Sequence, residues 1–267
     1  MIKACKIKGE ISKGGQKTVY FAEHPDVGNV VVKRGEIKSF TSLERIRREV
    51  DLLSSLKSSY YPEQHYFNVD IKNKSFEIVE EHIEGSMLRD KMSQFSTPKE
   101  IFILLNDLVQ GLKIIWNKNI VHRDLKPENI IIRPNGKPCI IDLGIARFLD
   151  FEALTQTISP IGPCTPIYAS PEQLENKKSI IDHRTDFYSL GIIALELYLE
   201  VHPFDPSYLK NHFSILENIM QGVYLTSHGT KLENEAITGF ANKTLQIQPF
   251  NRFRTIKLIE NYISKNI

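Results

Sequence analysis

The sequence lacks the features of a membrane-spanning, secreted or disulfide-stabilised protein. No run approaches the roughly 18 apolar residues that a bilayer crossing needs. The N-terminal segment Met1–Lys8 is charged throughout and has no apolar core of a signal peptide. Three widely spaced cysteines, Cys5, Cys139 and Cys164, favour free thiols over a disulfide framework or a zinc site. These absences predict a cytoplasmic protein without a membrane partner.

The chain also has little net charge and no repetitive sequence. A formal net charge of +2 with no basic block argues against nucleic acid as a partner. We find no internal repeat, low-complexity tract or long linker. With 41% hydrophobic residues, a chain of 267 residues can bury a sizeable core, as one large domain or as two lobes.

The first third of the chain predicts strands and one helix. Four short apolar segments have the composition of strands, and they are Ile7–Ile11, Thr18–Ala22, Asn29–Lys33 and Phe76–Ile83. The helix is predicted from Thr41, because Thr41 and Glu44 have the spacing of a capping box. Apolar residues then recur with helical period, at Leu43, Ile46, Val50, Leu53 and Leu56.

Helices are predicted to dominate after Gly85. Thr97 begins an amphipathic helix with a second capping box and a proline at the first helical position. Asp186–Leu199 is apolar almost all round, which is typical of a helix buried in the middle of a domain, and Thr255–Ile263 predicts the last helix. The predicted fold class is α+β, with a small β-rich part followed by a larger, mainly helical part.

The segment Val121–Asn129 carries the strongest functional signal. Its sequence, VHRDLKPEN, places an acid (Asp124), a cation (Lys126) and an amide (Asn129) within six residues between two apolar runs. An acid can accept a proton, a cation can hold a phosphate, and an amide oxygen can bind Mg²⁺. A solvated turn could explain the His-Arg-Asp-Leu part alone, but the complete run argues against it.

A predicted hairpin leads from Asn129 to a second acid, Asp142. Two apolar strands, Ile130–Ile132 and Cys139–Ile141, flank an Asn-Gly pair, which is the strongest short hairpin signal. A hairpin of this length returns Asp142 close beside Asn129, and such converging oxygen ligands can hold Mg²⁺. The alternative is an ordinary surface hairpin that ends in a turn aspartate.

These two motifs resemble the catalytic loop and the D-F-G motif of eukaryotic-type serine/threonine protein kinases, with Leu143 in place of Phe. The resemblance covers nearly the whole chain. It implies the bilobal α+β kinase fold, with an N-lobe over residues 1–83 that contains one regulatory helix and a C-lobe over residues 84–267. By resemblance, Asp124 orients the acceptor hydroxyl and Lys126 contacts the transferring phosphate. Asn129 and Asp142 would bind the metal.

The resemblance also implies a lysine for the nucleotide phosphates. Val30–Lys33 matches the strand that ends in this lysine. Glu49 lies on the predicted inward face of the following helix, where a carboxylate needs a cation, so we expect it to pair with Lys33. Glu44 is the alternative partner, but its position in the capping box already explains it.

The glycine-rich loop of the family is only partly retained. Residues 12–19, SKGGQKTV, keep Gly14, while Ser12 and Lys17 replace the outer two glycines. Gly15 adds flexibility next to Gly14. By resemblance, these four residues lie over the nucleotide phosphates, and Lys17 supplies a compensating charge.

The adenine site is expected at the segment VEEHIEG, residues 79–85. By resemblance, backbone groups of Glu81 and Ile83 hydrogen-bond adenine. The side chains that would sandwich the ring are Val19, Val31 and Ile131. Glu80 falls at the back of the nucleotide pocket, where relatives carry an apolar residue or Thr, so an acid is unusual there.

The activation segment is predicted from Asp142 to Glu172. Its end, CTPIYASPE, resembles the protein-substrate platform of the family. The resemblance implies that Thr165 hydrogen-bonds Asp124 and that Glu172 pairs with Arg252. It also implies that a helix N-terminal Asp186 braces the catalytic loop.

Arg123 suggests regulation by phosphorylation, because an arginine next to the catalytic acid often receives a phosphate from the activation segment. Candidate acceptors are Thr155, Thr157 and Ser159, and all three could equally be ordinary loop residues.

The leading hypothesis is an ATP-dependent serine/threonine protein kinase that uses ATP and Mg²⁺, with Mn²⁺ as an alternative ion. Its partners would be protein substrates, together with transient self-association for autophosphorylation. A pseudokinase or binding scaffold is the alternative, favoured by the degenerate glycine loop and Glu80. A small-molecule kinase ranks lower, because such relatives tend to lack the Pro-Glu ending and its Arg252 partner.

Overall fold

A computed structural model describes residues 5–13, 17–37, 43–44, 47, 50–51, 54–143, 147–148 and 165–267. The chain divides into two compact units, Met1–Gly85 and Ser86–Ile267. Within the described ranges, no helix is both long and apolar enough to cross a membrane. Cys5 is partly buried and Cys139 is buried, whereas Cys164 lies outside the described residues.

The first unit contains a five-stranded antiparallel sheet in the order β1-β2-β3-β5-β4. Its strands are β1 (Lys6–Lys13), β2 (Lys17–His24), β3 (Gly28–Glu36), β4 (Gln64–Asp70) and β5 (Ser75–Glu81). The four predicted strands are confirmed, although β5 ends two residues before the predicted Ile83. Strand β4 was not predicted, because its sequence, QHYFNVD, mixes aromatic and polar residues without regular alternation.

Alternation along the strands gives the sheet two different faces. One face forms a buried apolar cluster of Ala22, Val30, Val32 and Val79. On the other face, Phe76 and Ile78 pack against Val50. Val50 belongs to a segment in which residues 43, 44, 47, 50, 51, 54 and 55 are helical, which agrees with the predicted helix. The predicted start at Thr41 and the predicted inward residues Ile46 and Leu53 lie outside the described residues.

The second unit is mainly helical. Its α-helices are α1 (Leu88–Lys91), α2 (Pro98–Trp116), α3 (Pro171–Leu174), α4 (His183–Leu199), α5 (Pro206–Leu209), α6 (Ile215–Gln221), α7 (Glu235–Thr244) and α8 (Ile256–Ser264). Among the residues that the structure describes in this unit, five short strands accompany them, namely β6 (Ser86–Met87), β7 (Ile120–Val121), β8 (Ile130–Ile132), β9 (Pro138–Ile140) and β10 (Arg147–Phe148). The predicted capping box of α2 is present, with Thr97 accepting from the Glu100 N–H and Glu100 accepting from the Thr97 N–H.

Helix α4 lies in the core of the second unit, where it packs against α2 and α7. It begins one turn before the predicted Asp186, because Asp182 caps it by accepting from the Arg184 N–H. Every residue from Thr185 to Leu199 is buried, as its apolar circumference predicts. Gly191 permits the close approach of α7, since a Cβ at this position would overlap the Thr244 side chain.

Candidate active site

Asp186 in the first turn of α4 holds the backbone that precedes Asp124. Its Oδ2 accepts from the Trp116 indole N–H at 2.8 Å and from the His122 N–H at 2.9 Å. Its Oδ1 accepts from the Arg123 N–H at 2.9 Å. The predicted bracing of the loop by Asp186 is therefore confirmed, and three donors satisfy a carboxylate that is fully buried.

Two residues of the candidate site have a strained backbone conformation. Arg123 has a φ of 69° and Asp142 has a φ of 64°, both in the left-handed region that non-glycine residues avoid. Gln173 supports the conformation at Arg123, because its Nε2 donates to the Arg123 carbonyl at 2.8 Å. Strained residues of this kind persist where surrounding contacts fix them, and they cluster at functional sites.

The Asp124 carboxylate is held from two sides. Its Oδ1 accepts from the Thr165 hydroxyl at 2.7 Å and from the Thr165 N–H at 2.9 Å. On the other side, Asn129 Nδ2 donates to Oδ2 at 3.1 Å and to the Asp124 carbonyl at 2.8 Å. The predicted contact between Thr165 and Asp124 is confirmed, and the Asp124 side chain is 16% exposed to solvent.

Lys126 completes this cluster. Its Nζ donates to the Thr165 hydroxyl oxygen at 2.6 Å and lies 3.4 Å from Asp124 Oδ2. Thr165 Oγ1 thus accepts from an ammonium group while it donates to a carboxylate. A proton acceptor and a fixed positive charge lie side by side, which is the pairing that transfer of an anionic group to a hydroxyl needs.

The predicted hairpin between Asn129 and Asp142 is present. Strands β8 and β9 pair antiparallel, with Ile130 opposite Ile140. The Ile141 N–H then donates to the Asn129 carbonyl at 2.9 Å, so Asp142 follows a residue that is bonded directly to Asn129. Because Asn129 holds Asp124 through its Nδ2, the amide oxygen is the atom left to serve as a cation ligand.

The first unit carries most of the predicted nucleotide-binding residues that the structure describes. Ser12 lies opposite Val19 across β1 and β2, and Lys17 begins β2. Val31 and Lys33 lie on β3. Gly14, Gly15 and Glu49 are outside the described residues, so the expected partnership between Glu49 and Lys33 stays a prediction.

Lys33 contacts the carboxylate of Glu80, which was not predicted to be its partner. Its Nζ lies 2.6 Å from Oε1 of Glu80 on β5. Strand register explains the contact, because Lys33 is opposite Ile78 and therefore diagonal to Glu80. The unusual acid at position 80 is thus the partner of a buried cation.

The predicted adenine-contacting residues lie in both units. The Glu81 N–H already donates to the Glu63 carbonyl at 2.7 Å, so Glu81 would contact a ligand through its carbonyl oxygen. Ile83 is buried just beyond β5. In the second unit, Ile131 on β8 is half-buried opposite Cys139.

A buried ion pair anchors the predicted substrate platform. Arg252 donates to both oxygens of Glu172, at 2.7 and 2.8 Å, and both side chains are almost fully buried. Arg252 also lies over the Tyr188 ring, 4.8 Å from its centroid, and donates to the Arg184 carbonyl. The predicted pair is confirmed.

A second polar network, centred on Arg89 of α1, was missed. Arg89 donates to Glu128 at 2.7 Å, to Glu196 at 2.8 Å and to the Tyr168 hydroxyl. Tyr168 in turn donates to Glu196 at 2.6 Å. Burial, reinforced by the Glu196 charge, raises the pKa of Tyr168 above its ordinary value. No local signal marks these residues, because they come from four distant parts of the chain.

Much of the activation segment is not described. Gly144 and the candidate phosphate acceptors Thr155, Thr157 and Ser159 lie outside the described residues. The described part resumes at Thr165, where the 3-10 turn Pro166–Tyr168 begins the platform.

Comparison with known proteins agrees with this geometry. The model of the protein kinase domain family matches residues 5–263. A probable serine/threonine-protein kinase of Clostridium perfringens (strain 13 / Type A) is 28% identical over 265 residues, which cover 96% of this chain and 37% of that relative. A serine/threonine-protein kinase of Myxococcus xanthus is 32% identical over 214 residues, which cover 76% of this chain and 25% of the relative.

A probable serine/threonine-protein kinase of Streptomyces coelicolor is 33% identical over 208 residues, which cover 73% of this chain and 30% of that relative. This chain therefore spans less than half the length of these curated relatives. The predicted α+β kinase fold is confirmed by the family match together with the β-rich first unit and the helical second unit. Since the match extends over nearly all of its residues, the chain belongs to the protein kinase domain family.

Proposed function

We propose that this chain is an ATP-dependent serine/threonine protein kinase, which transfers the γ-phosphate of ATP to Ser and Thr hydroxyls of protein substrates and of its own copies. The observation that carries this proposal is the cluster in which Asp124, Lys126 and Asn129 meet Thr165. The names of the relatives, all serine/threonine-protein kinases, support the same class.

In this proposal Asp124 accepts the proton of the acceptor hydroxyl or orients that hydroxyl for attack. Thr165 and Asn129 fix the carboxylate, so little reorganisation is needed when the hydroxyl arrives. Lys126, 3.4 Å from Asp124 Oδ2, neutralises charge on the phosphate that moves to this hydroxyl. Proton acceptance and charge neutralisation are therefore assigned to two adjacent side chains.

Asn129 and Asp142 are the residues that would hold Mg²⁺, or Mn²⁺ in its place. Amide and carboxylate oxygens are the ligands that these ions prefer, and the hydrogen bond from Ile141 to Asn129 keeps the two residues close in the fold. Bound metal supplies positive charge to the phosphate oxygens of ATP.

The first unit is proposed to bind most of the nucleotide. Lys33 would contact the phosphates, and the other residues assigned to ATP are Ser12, Gly14, Gly15, Lys17, Val19, Val31, Glu49, Glu81, Ile83 and Ile131. Protein substrates are the proposed partners, with transient self-association during autophosphorylation. The proposed location is cytoplasmic, since three widely spaced cysteines do not suggest a disulfide framework.

Incubation with radiolabelled ATP and Mg²⁺ tests the proposal. The chain is expected to label itself and a generic basic protein, and acid hydrolysis of the products should give phosphoserine and phosphothreonine. Asp142→Ala should give no label, whereas Asp51→Asn, at an exposed helical position, should label like the wild type. Nucleotide binding without any label would favour a pseudokinase scaffold instead.

Thr165→Val is expected to lower kcat by roughly tenfold. The change removes the hydroxyl that joins Lys126 to Asp124 and preserves the volume of the side chain, and a hydrogen bond to a charged group contributes about 1.5–3 kcal/mol. Thr165→Ser retains the hydroxyl and should keep most of the activity. Steady-state kinetics check this, and equal kcat values for the two variants would contradict the role of the hydroxyl.

A further inference from the structure

Lys33 and Glu80 form a buried ion pair within the sheet of the first unit. Their side chains are 6% and 5% exposed, and Nζ lies 2.6 Å from Oε1. Both residues lie on the face that also carries Val31 and Ile78, since Val31 is opposite Glu80 and Lys33 is opposite Ile78. The register of β3 and β5 therefore fixes the pair.

Stability of the fold does not explain this pair. Removing two charges from water costs about as much as their attraction returns, and apolar residues often fill such a place equally well. Glu80 Oε2 is also buried without a hydrogen-bond partner, and an unsatisfied polar atom is a further cost. The apolar neighbours Val31 and Ile78 show that this face accepts apolar side chains. A role in function accounts better for the two charges.

We propose that Glu80 is a positioning residue that directs the Lys33 ammonium group for contact with the phosphates of ATP. This inference rests on the proposed function and extends it to a residue outside the expected nucleotide-binding set. Glu80 and Lys33 lie on neighbouring strands of one sheet. Their contact therefore does not depend on the position of the helical segment that contains Val50. Glu80 acts in this way whether or not Glu49 also contacts Lys33.

Glu80→Gln is the direct test, because the change removes the charge and preserves the shape. We expect KM for ATP to rise about tenfold, with kcat changed by less than about threefold, since a ground-state contact is lost. Glu77→Gln is the matched control, on the same strand and with its own ion pair to Arg34 at 2.6 Å, and should leave KM unchanged. An unchanged or lowered KM in Glu80→Gln would overturn the proposal.

A thermodynamic cycle with Lys33→Met separates positioning from a merely structural role. ATP binding is measured by calorimetry in the wild type, both single variants and the double variant. Glu80→Gln should weaken binding about tenfold when Lys33 is present and less than about twofold in the Lys33→Met background. Equal weakening in both backgrounds would mean that Glu80 acts through the fold, and the proposal would fail.

The cycle remains decisive if Glu80→Gln does not fold. In that case the Lys33→Met, Glu80→Gln double variant should fold, because neither charge is then buried alone. A double variant that also fails to fold would refute the proposed coupling. Calorimetry measures ATP binding and not phosphate transfer. A wild-type chain that binds ATP but transfers no phosphate would therefore refute the proposed kinase activity but not the proposed role of Glu80.

Discussion

Asp124→Asn is expected to reduce kcat for phosphate transfer by roughly 10²–10⁴-fold, the usual contribution of a positioned acid or base. The amide cannot accept a proton, although its oxygen can keep the contacts with Thr165. KM for ATP should stay within about twofold of the wild-type value, because Asp124 is assigned to the acceptor hydroxyl and not to the nucleotide. Single-turnover and steady-state kinetics on purified protein measure both quantities.

The same change should have only a small effect on the folded state. Asn129 loses its bond to Oδ2 and Lys126 loses its nearby charge, whereas the bond from Asn129 to the Asp124 carbonyl remains. Asp51→Asn serves as the matched aspartate replacement at an exposed position. Substantial activity in correctly folded Asp124→Asn would remove Asp124 from its assigned role.

Arg252→Met is expected to lower the free energy of unfolding by about 3–5 kcal/mol, because it leaves the buried Glu172 carboxylate without a cation. Three carbonyls that accept from Arg252, on Arg184, Gln246 and Ile247, would lose their donor as well. Urea denaturation followed by circular dichroism measures the change.

Two control variants test whether the loss of stability in Arg252→Met comes from the burial of the ion pair. Arg34→Met breaks the Arg34–Glu77 ion pair, in which Arg34 is 46% exposed, and should cost less than about 1 kcal/mol. The double variant Glu172→Leu, Arg252→Met should recover part of the lost stability, because no charge then remains buried alone. A similar cost for Arg34→Met and Arg252→Met would contradict the distinction between buried and exposed pairs.

Local sequence patterns predicted the parts of the site that are close together in the chain. The capping box at Thr97 and the hairpin that follows Asn129 each depend on a few neighbouring residues, and both are confirmed. The Glu172–Arg252 pair joins residues 80 positions apart and could be predicted only through the family resemblance. The roles of residues in nucleotide and metal binding also depend on the family resemblance, and they stay predictions.

The Lys33–Glu80 contact was missed because it depends on strand register. A helix places residues at a fixed spacing along one chain segment, whereas a sheet brings together residues whose alignment the sequence does not state. Glu49 was chosen as the partner of Lys33 because a buried carboxylate needs a cation, and Glu80 meets the same condition. The Arg89 network is harder still, as its members come together only when α1 and α4 have packed with the platform.

The burial of α4 from Thr185 to Leu199 has a consequence for the order in which parts of the second unit unfold. Amide protons of a helix covered on every side exchange with deuterium only when the surrounding helices separate, so α4 belongs to the part of the protein with the highest opening free energy. Asp186 ties the segment before Asp124 to that part. Local fluctuations at the surface of the second unit therefore leave the attachment of this loop intact, and only near-global opening releases it.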